Sequence, residues 1–277
     1  MAKLIFDNFS DIYAFRAAIT SRPNNGKCGN DSRNAEADFA GMPYEQALDC
    51  LVKGLPEQNE RFKDVLRKFS AQTARTNKNR PINYYNGYAP NVPAAIIGLP
   101  KSMRKVQKTP QKTKVVTLIY SMGALGSVPA EDITESGITA LKLVIALEKS
   151  GYRVNLFACP SMAKAGGEIA ACVIKLKDAK QPLDIGKISF TMGNVSMFRR
   201  LGFAWRETVP GLMSGEWRCG YGSTIYDHET ALENLQKMGM KTQNTYYFNV
   251  ADCRRAKFDY LRVAKSIGLK ELGTAGK

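Results

Sequence analysis

Apolar residues are spaced in two different ways along this chain, and the change falls near Lys114. Upstream they recur at the intervals of a helix face. Ser10 or Asp11 caps a short helix that runs through Ala18. Pro43 opens a second helix over PYEQALDCLVK, where Tyr44, Ala47, Leu48 and Leu51 share one face and Gly54 ends it. Pro56 opens a third, with Phe62, Val65, Leu66 and Phe69 at helical spacing. Residues 1–72 therefore read as a small helical N-terminal region, interrupted by the polar loop SRPNNGKCGNDSRN. Prolines at 81, 90, 93, 100 and 110 argue against long helix over residues 73–112, which read as a basic connection.

Downstream, residues 113–277 alternate strand-like and helix-like segments. VVTLIY is a continuous, β-branched apolar run, the pattern of a strand buried on both faces. A small-residue loop follows, and Asp132 with Glu135 suits a capping box for a helix lined by Ile133, Leu141, Val144, Ile145 and Leu147. YRVNLFAC is the next strand, PSMAKAGG a turn, and EIAACVIKLK its antiparallel neighbour. A helix over 192–201, a Gly-rich stretch, a strand over 217–226, a helix over 229–238, the strand TYYFNVA and a helix over 254–267 complete the pattern. The expected fold is α/β, with a mostly parallel sheet containing one antiparallel strand.

Composition narrows the chemistry. With 44% hydrophobic residues and 23% charged, a packed core is expected. No run reaches the eighteen or so apolar residues of a membrane span. The opening MAKLIFDNFSDIYAF lacks a signal peptide's apolar stretch, so a soluble intracellular protein with no membrane contact is expected. The six cysteines are scattered without a CxxC pair, and His228 is the single histidine. That argues against a structural zinc site and excludes any scheme needing two histidines. No nucleophile–base pair is recognisable, and no cofactor or metal is expected. GALGS lacks the ending of a phosphate loop and the Rossmann glycine spacing. Asp227 reads as a helix cap, with His228 on the surface beside it.

Charge gives the strongest functional signal. The net charge is +15, and between Asp64 and Glu131 there is no acidic residue. That interval carries eleven cations: Arg67, Lys68, Arg75, Lys78, Arg80, Lys101, Arg104, Lys105, Lys108, Lys112 and Lys114. A solvated surface mixes its signs, so this asymmetry points to a polyanionic partner. Tyr84, Tyr85 and Tyr88 lie in the same interval. Either they pin a Pro-rich connection to the domain, or they stack bases while the cations meet phosphates. A second candidate surface combines Trp205, Arg206, Trp217, Arg218 and Tyr221 in a Gly-rich stretch, a composition suited to a partner contact.

The order strand, helix, strand hairpin, helix, strand, helix, strand, helix over residues 113–270 resembles a von Willebrand factor A-like domain. Such domains hold a divalent metal through Asp-x-Ser-x-Ser after the first strand. The matching positions here are Ser121, Gly123 and Leu125, so the resemblance is to a degenerate form without that metal. Through FAGMPYEQALDCLVKG, GYAPNVPAAIIGLPKSM, ALEKSGYRVNLF and QPLDIGKISF the chain also resembles an uncharacterised family of tailed-phage proteins. That second resemblance implies a phage-encoded protein in the cytoplasm of an infected host cell, with the virion as the other location, and brings no activity with it. Together these readings lead to a non-enzymatic accessory protein that binds single-stranded nucleic acid in replication, transcription or host takeover. The alternative is a protein-interaction adaptor or virion component.

Overall fold

The computed structural model describes residues 4–24, 32–72, 81–106, 114–165, 168–210, 212 and 224–269. The first part of the chain forms β1 (Leu4–Phe9), α1 (Ile12–Ser21), α2 (Ala37–Ala40), α3 (Tyr44–Lys53) and α4 (Pro56–Gln72). Next come β2 (Pro81–Tyr84), β3 (Ala89–Pro90), α5 (Val92–Ile96) and β4 (Met103–Val106). β5 (Val115–Ser121), α6 (Ala130–Lys149), β6 (Arg153–Ala165), β7 (Glu168–Lys177) and α7 (Ile185–Gly193) follow. A π-helical segment (Met197–Gly202) leads into α8 (Phe203–Thr208), and α9 (His228–Lys237), β8 (Thr245–Asn249), α10 (Val250–Arg255) and α11 (Tyr260–Ser266) are the last elements among the described residues.

The apolar run VVTLIY becomes β5, and its alternating side chains enter two cores. Val116, Leu118 and Tyr120 join a large cluster on one face of the sheet, while Ile119 joins a smaller one on the other. β5 lies inside a five-stranded sheet of order β1-β7-β6-β5-β8. It runs parallel to both β6 and β8, β1 runs parallel to β7, and β6 and β7 form the antiparallel pair. The larger core joins the sheet to α1, α3, α4, α6 and α7 through residues such as Phe15, Leu51, Phe62, Leu141 and Phe190. Ala231 and Leu235 of α9 cover the opposite face.

Several boundaries differ from the sequence reading. The N-terminal region is not wholly helical, because residues 4–9 form an edge strand of the main sheet. Polar Asp7 is tolerated there because Arg22 and the indole N–H of Trp205 both bond to its carboxylate. The segment PSMAKA continues β6 instead of turning, and Pro160 falls at a register shift between Ala158 and Ser161. A bulge is where proline is tolerated inside a ladder. α6 starts at Ala130 behind Pro129, with Glu131 and Asp132 in its first turn, so the box expected at Asp132 and Glu135 is not its cap. The helix expected over 192–201 is not continuous: α7 ends at Gly193 and the π segment runs from Met197 to Gly202. Of the strand expected over 217–226, residues 217–223 lie outside the described residues, and 224–226 have no regular structure. The last expected helix is two helices, broken where Lys257 and Phe258 take left-handed φ values of 54° and 57°.

Candidate nucleic-acid interface

The acid-free interval builds a second, three-stranded antiparallel sheet of order β2-β4-β3. Its strands are four, two and four residues long. Tyr84 and Pro90 both face Met103 in register, so β2 and β3 run the same way on either side of β4. Asn91 ties the end of the sheet together: its backbone N–H bonds to Ser102 O at 2.7 Å and its side-chain amide to Asn83 Oδ1 at 3.0 Å.

This sheet brings the predicted aromatic and cationic residues into pairs. Ile82 faces Lys105 and Tyr84 faces Met103, so Tyr84 and Lys105 are diagonal neighbours on one face. Lys105 Nζ lies 4.4 Å from the Tyr84 ring centroid. Lys101 Nζ lies 5.5 Å from the Tyr85 ring, and the two tyrosine rings meet edge-on at 5.6 Å. Tyr85 and Tyr88 are 64% and 67% exposed, which leaves ring surface open to a stacking base. Lys101, Arg104 and Lys105 are exposed and form no ion pair with a carboxylate among the described residues. Arg104 faces Asn83 and Ala89 across the ladder, one position out of phase with Lys105. Lys114 stands apart, just before β5 in the main sheet. Arg75, Lys78, Arg80, Lys108 and Lys112 lie outside the described residues.

The second predicted surface is not assembled in the same way. Trp205 is fully buried on α8, donating its Nε1–H to Asp7 Oδ2 at 2.7 Å. Arg206 beside it is buried too. Both are therefore interior residues, and the reading of them as loop contacts for a partner is corrected. Burial of a tryptophan is favoured here because its single donor has a carboxylate to bind. Trp217, Arg218 and Tyr221 lie outside the described residues.

The loop after β5 does not fit the metal that its resemblance implies. Ser121 Oγ lies 3.2 Å from Thr224 Oγ1, and Gly123 and Leu125 bring no side-chain oxygen. The loop's carbonyls instead face a protein cation. Arg199 donates to the carbonyls of Leu125 (3.3 Å), Gly126 (3.1 Å) and Val128 (2.6 Å), and also to Phe39 O at 3.2 Å. Burial pulls the Arg199 pKa down, but a guanidinium stays charged in this range. Arg200 does similar work on the carbonyls of Ser32, Arg33, Ala35 and Gly41.

Asp227 caps α9 as expected, accepting from Thr230 N at 2.8 Å. His228 is not a free surface residue. Its Nδ1 faces Tyr247 O at 2.8 Å and its Nε2 lies 3.7 Å from Asp252. Asp252 is itself engaged, exchanging side-chain and backbone bonds with Asn249 in a capping box for α10 and binding Arg255. The buried thiols are poor nucleophiles, since burial pushes Cys159 up to about 12.

Sequence reasoning missed the apolar end of the small sheet, where Val92, Ile96, Ile97 and Leu99 are exposed. The signal was the stretch VPAAIIGLP, which has no polar side chain within an otherwise basic interval.

No curated protein and no solved structure matches the chain. The model of a family described as a domain of unknown function (DUF7192) matches residues 2–271, nearly the whole length, and the chain belongs to that family.

Proposed function

We propose that the chain is a phage-encoded, non-enzymatic accessory protein that binds single-stranded nucleic acid through the small sheet, acting in replication, transcription or host takeover in the infected cell's cytoplasm. The main sheet is read as a degenerate von Willebrand A-like scaffold. In support, the hairpin partner β6 and the later strand β8 lie on opposite sides of β5. The observation that carries the function is the pairing of exposed Tyr84 with Lys105 and Tyr85 with Lys101, on a sheet with no acidic residue in its chain interval. Bases stack on rings and phosphates meet ammonium groups, so such pairs suit an unpaired strand. A duplex hides its base faces in its own stack and gains less from tyrosine.

A salt titration tests the reading. Replacing Lys101, Arg104 and Lys105 by Gln removes three phosphate contacts, and should flatten the slope of log affinity against log salt by about two units on single strands. Tyr84→Ala or Tyr85→Ala should weaken single-strand binding by about 1–3 kcal/mol with little change of slope. Absence of oligonucleotide binding by the wild-type protein at low salt would remove this reading. The protein-interaction adaptor would then take its place.

A further inference from the structure

The nucleic-acid reading leaves the apolar end of the small sheet unused. Residues 92–100, VPAAIIGLP, carry no polar side chain. Ala94 is buried beneath them, but Ile96 and Ile97 are 79% and 71% exposed, and Val92 and Leu99 about half exposed. Every residue from 95 to 101 is exposed, so the segment projects from the small sheet. Its shape is fixed: Gly98, at φ 71°, turns the chain so that Leu99 N–H bonds back to Ala94 O at 2.9 Å. An apolar projection held open to water marks a contact surface.

We propose that this apex is a peripheral contact for an anionic lipid bilayer. Val92, Ile96, Ile97 and Leu99 enter the acyl boundary, and Lys101, Arg104 and Lys105 behind them meet lipid phosphates. Tyr85, beside Lys101, sits at the level where an aromatic ring with a polar tip is favoured. Three observations select this occupant. A fluid bilayer accepts a convex apolar projection, whereas a folded partner needs a matching groove. Aliphatic side chains lack the π-face that bases stack on. A second copy would bring the same positive charge against this one, since residues 65–130 contain no carboxylate. No helix among the described residues is long and apolar enough to cross a membrane, so the contact is to the surface. The expectation from the sequence is of no membrane, and the proposal departs from it only in placing this apex at a bilayer surface.

This inference goes beyond the nucleic-acid reading and does not depend on it, but the two ligands share cations and should compete. The test is co-sedimentation of the full chain with vesicles of phosphatidylcholine alone and of phosphatidylcholine with phosphatidylglycerol. Binding is expected to the anionic vesicles, weakening with salt, and to be weak on the neutral ones. Ile96→Ser and Ile97→Ser should each lower vesicle partition about tenfold, and combined in a double Ile variant lower it further, with oligonucleotide affinity unchanged in all three. Both positions are exposed, so an unchanged thermal melt will confirm that the variants fold. Lys101→Gln and Lys105→Gln should each lower vesicle partition about fivefold, and weaken oligonucleotide binding as well. Vesicle binding without oligonucleotide binding would support this proposal while removing the other. Three results would overturn it: no binding to anionic vesicles at low salt, full binding by the double Ile variant, or an oligonucleotide defect in that variant without a vesicle defect. Self-association of the wild-type chain that the double variant abolishes, with no vesicle binding, would assign the apex to a second copy.

Discussion

Asp7 illustrates how much one residue carries. Burial alone would raise its pKa, but hydrogen bonds from Arg22 and Trp205 and the charge of Arg22 outweigh that and hold it below the usual carboxylate value. A carboxyl depressed in the folded state contributes stability that is present above its unfolded pKa and lost as pH falls through the folded one. Asp7→Asn should therefore destabilise the protein by about 1–3 kcal/mol near neutrality, and the difference should shrink below the ordinary carboxylate range. Urea denaturation of both proteins across acidic pH measures this, and a difference independent of pH would contradict it. Arg199 is the second such residue. Removing its side chain takes a donor from four carbonyls, of which Leu125 O keeps the N–H of Val128, so Arg199→Ala should cost about 3 kcal/mol. Arg199→Lys should recover only part of it, because a compact ammonium lacks the planar fork that reaches several carbonyls. Equal melting temperatures for the Lys variant and the wild type would refute that account.

Among the elements, the crossing of α6 and α7 is where local preference and packing disagree. Gly137 lies inside α6, a position where alanine is ordinarily better by about 1 kcal/mol. Here a Cβ would stand 2.7 Å from the Met192 carbonyl carbon and 2.9 Å from Gly193 Cα, both backbone atoms of α7. Gly137→Ala should therefore destabilise by about 1–3 kcal/mol, opposite in sign to its helix propensity. Chemical denaturation of that variant decides it, and a gain in stability would mean that the two helices separate freely. The elements that were legible beforehand have strong local causes. Asp11 accepts from Ala14 N at 2.8 Å to start α1, and Gly54 ends α3 at φ 77°. The strands of the small sheet were not legible, because two to four residues with prolines carry too short a pattern to show a period.

At the scale of the molecule, charge is distributed by region. Most cations of the N-terminal helices are in ion pairs, as with Arg61, which binds Glu131 and Glu135 of α6. Those of the small sheet lack such partners among the described residues, which is why salt should act on its binding more than on the fold. Raising salt should weaken oligonucleotide or vesicle binding steeply while leaving the urea midpoint nearly unchanged, since exposed pairs contribute about 1 kcal/mol or less. A midpoint that fell in parallel with affinity would show that the same charges hold the fold.

The sequence by itself determined the parts whose causes lie within a few residues. These are the caps at Asp11, Gly54 and Asp227, the apolar run of β5, the β6–β7 hairpin and the acid-free interval with its tyrosines. Tertiary structure decided what depends on distant partners. Trp205 looked like an exposed anchor until Asp7, 198 residues away in the chain, met its N–H. Residues 4–9 became a strand because β7 offered them an open edge, while apolar and polar residues do not alternate in LIFDNF to declare one. The tyrosines and lysines were readable as a composition, yet only the register of β2 against β4 placed Lys105 over Tyr84. Local propensity depends on neighbours in sequence, whereas burial and pairing depend on which surfaces meet.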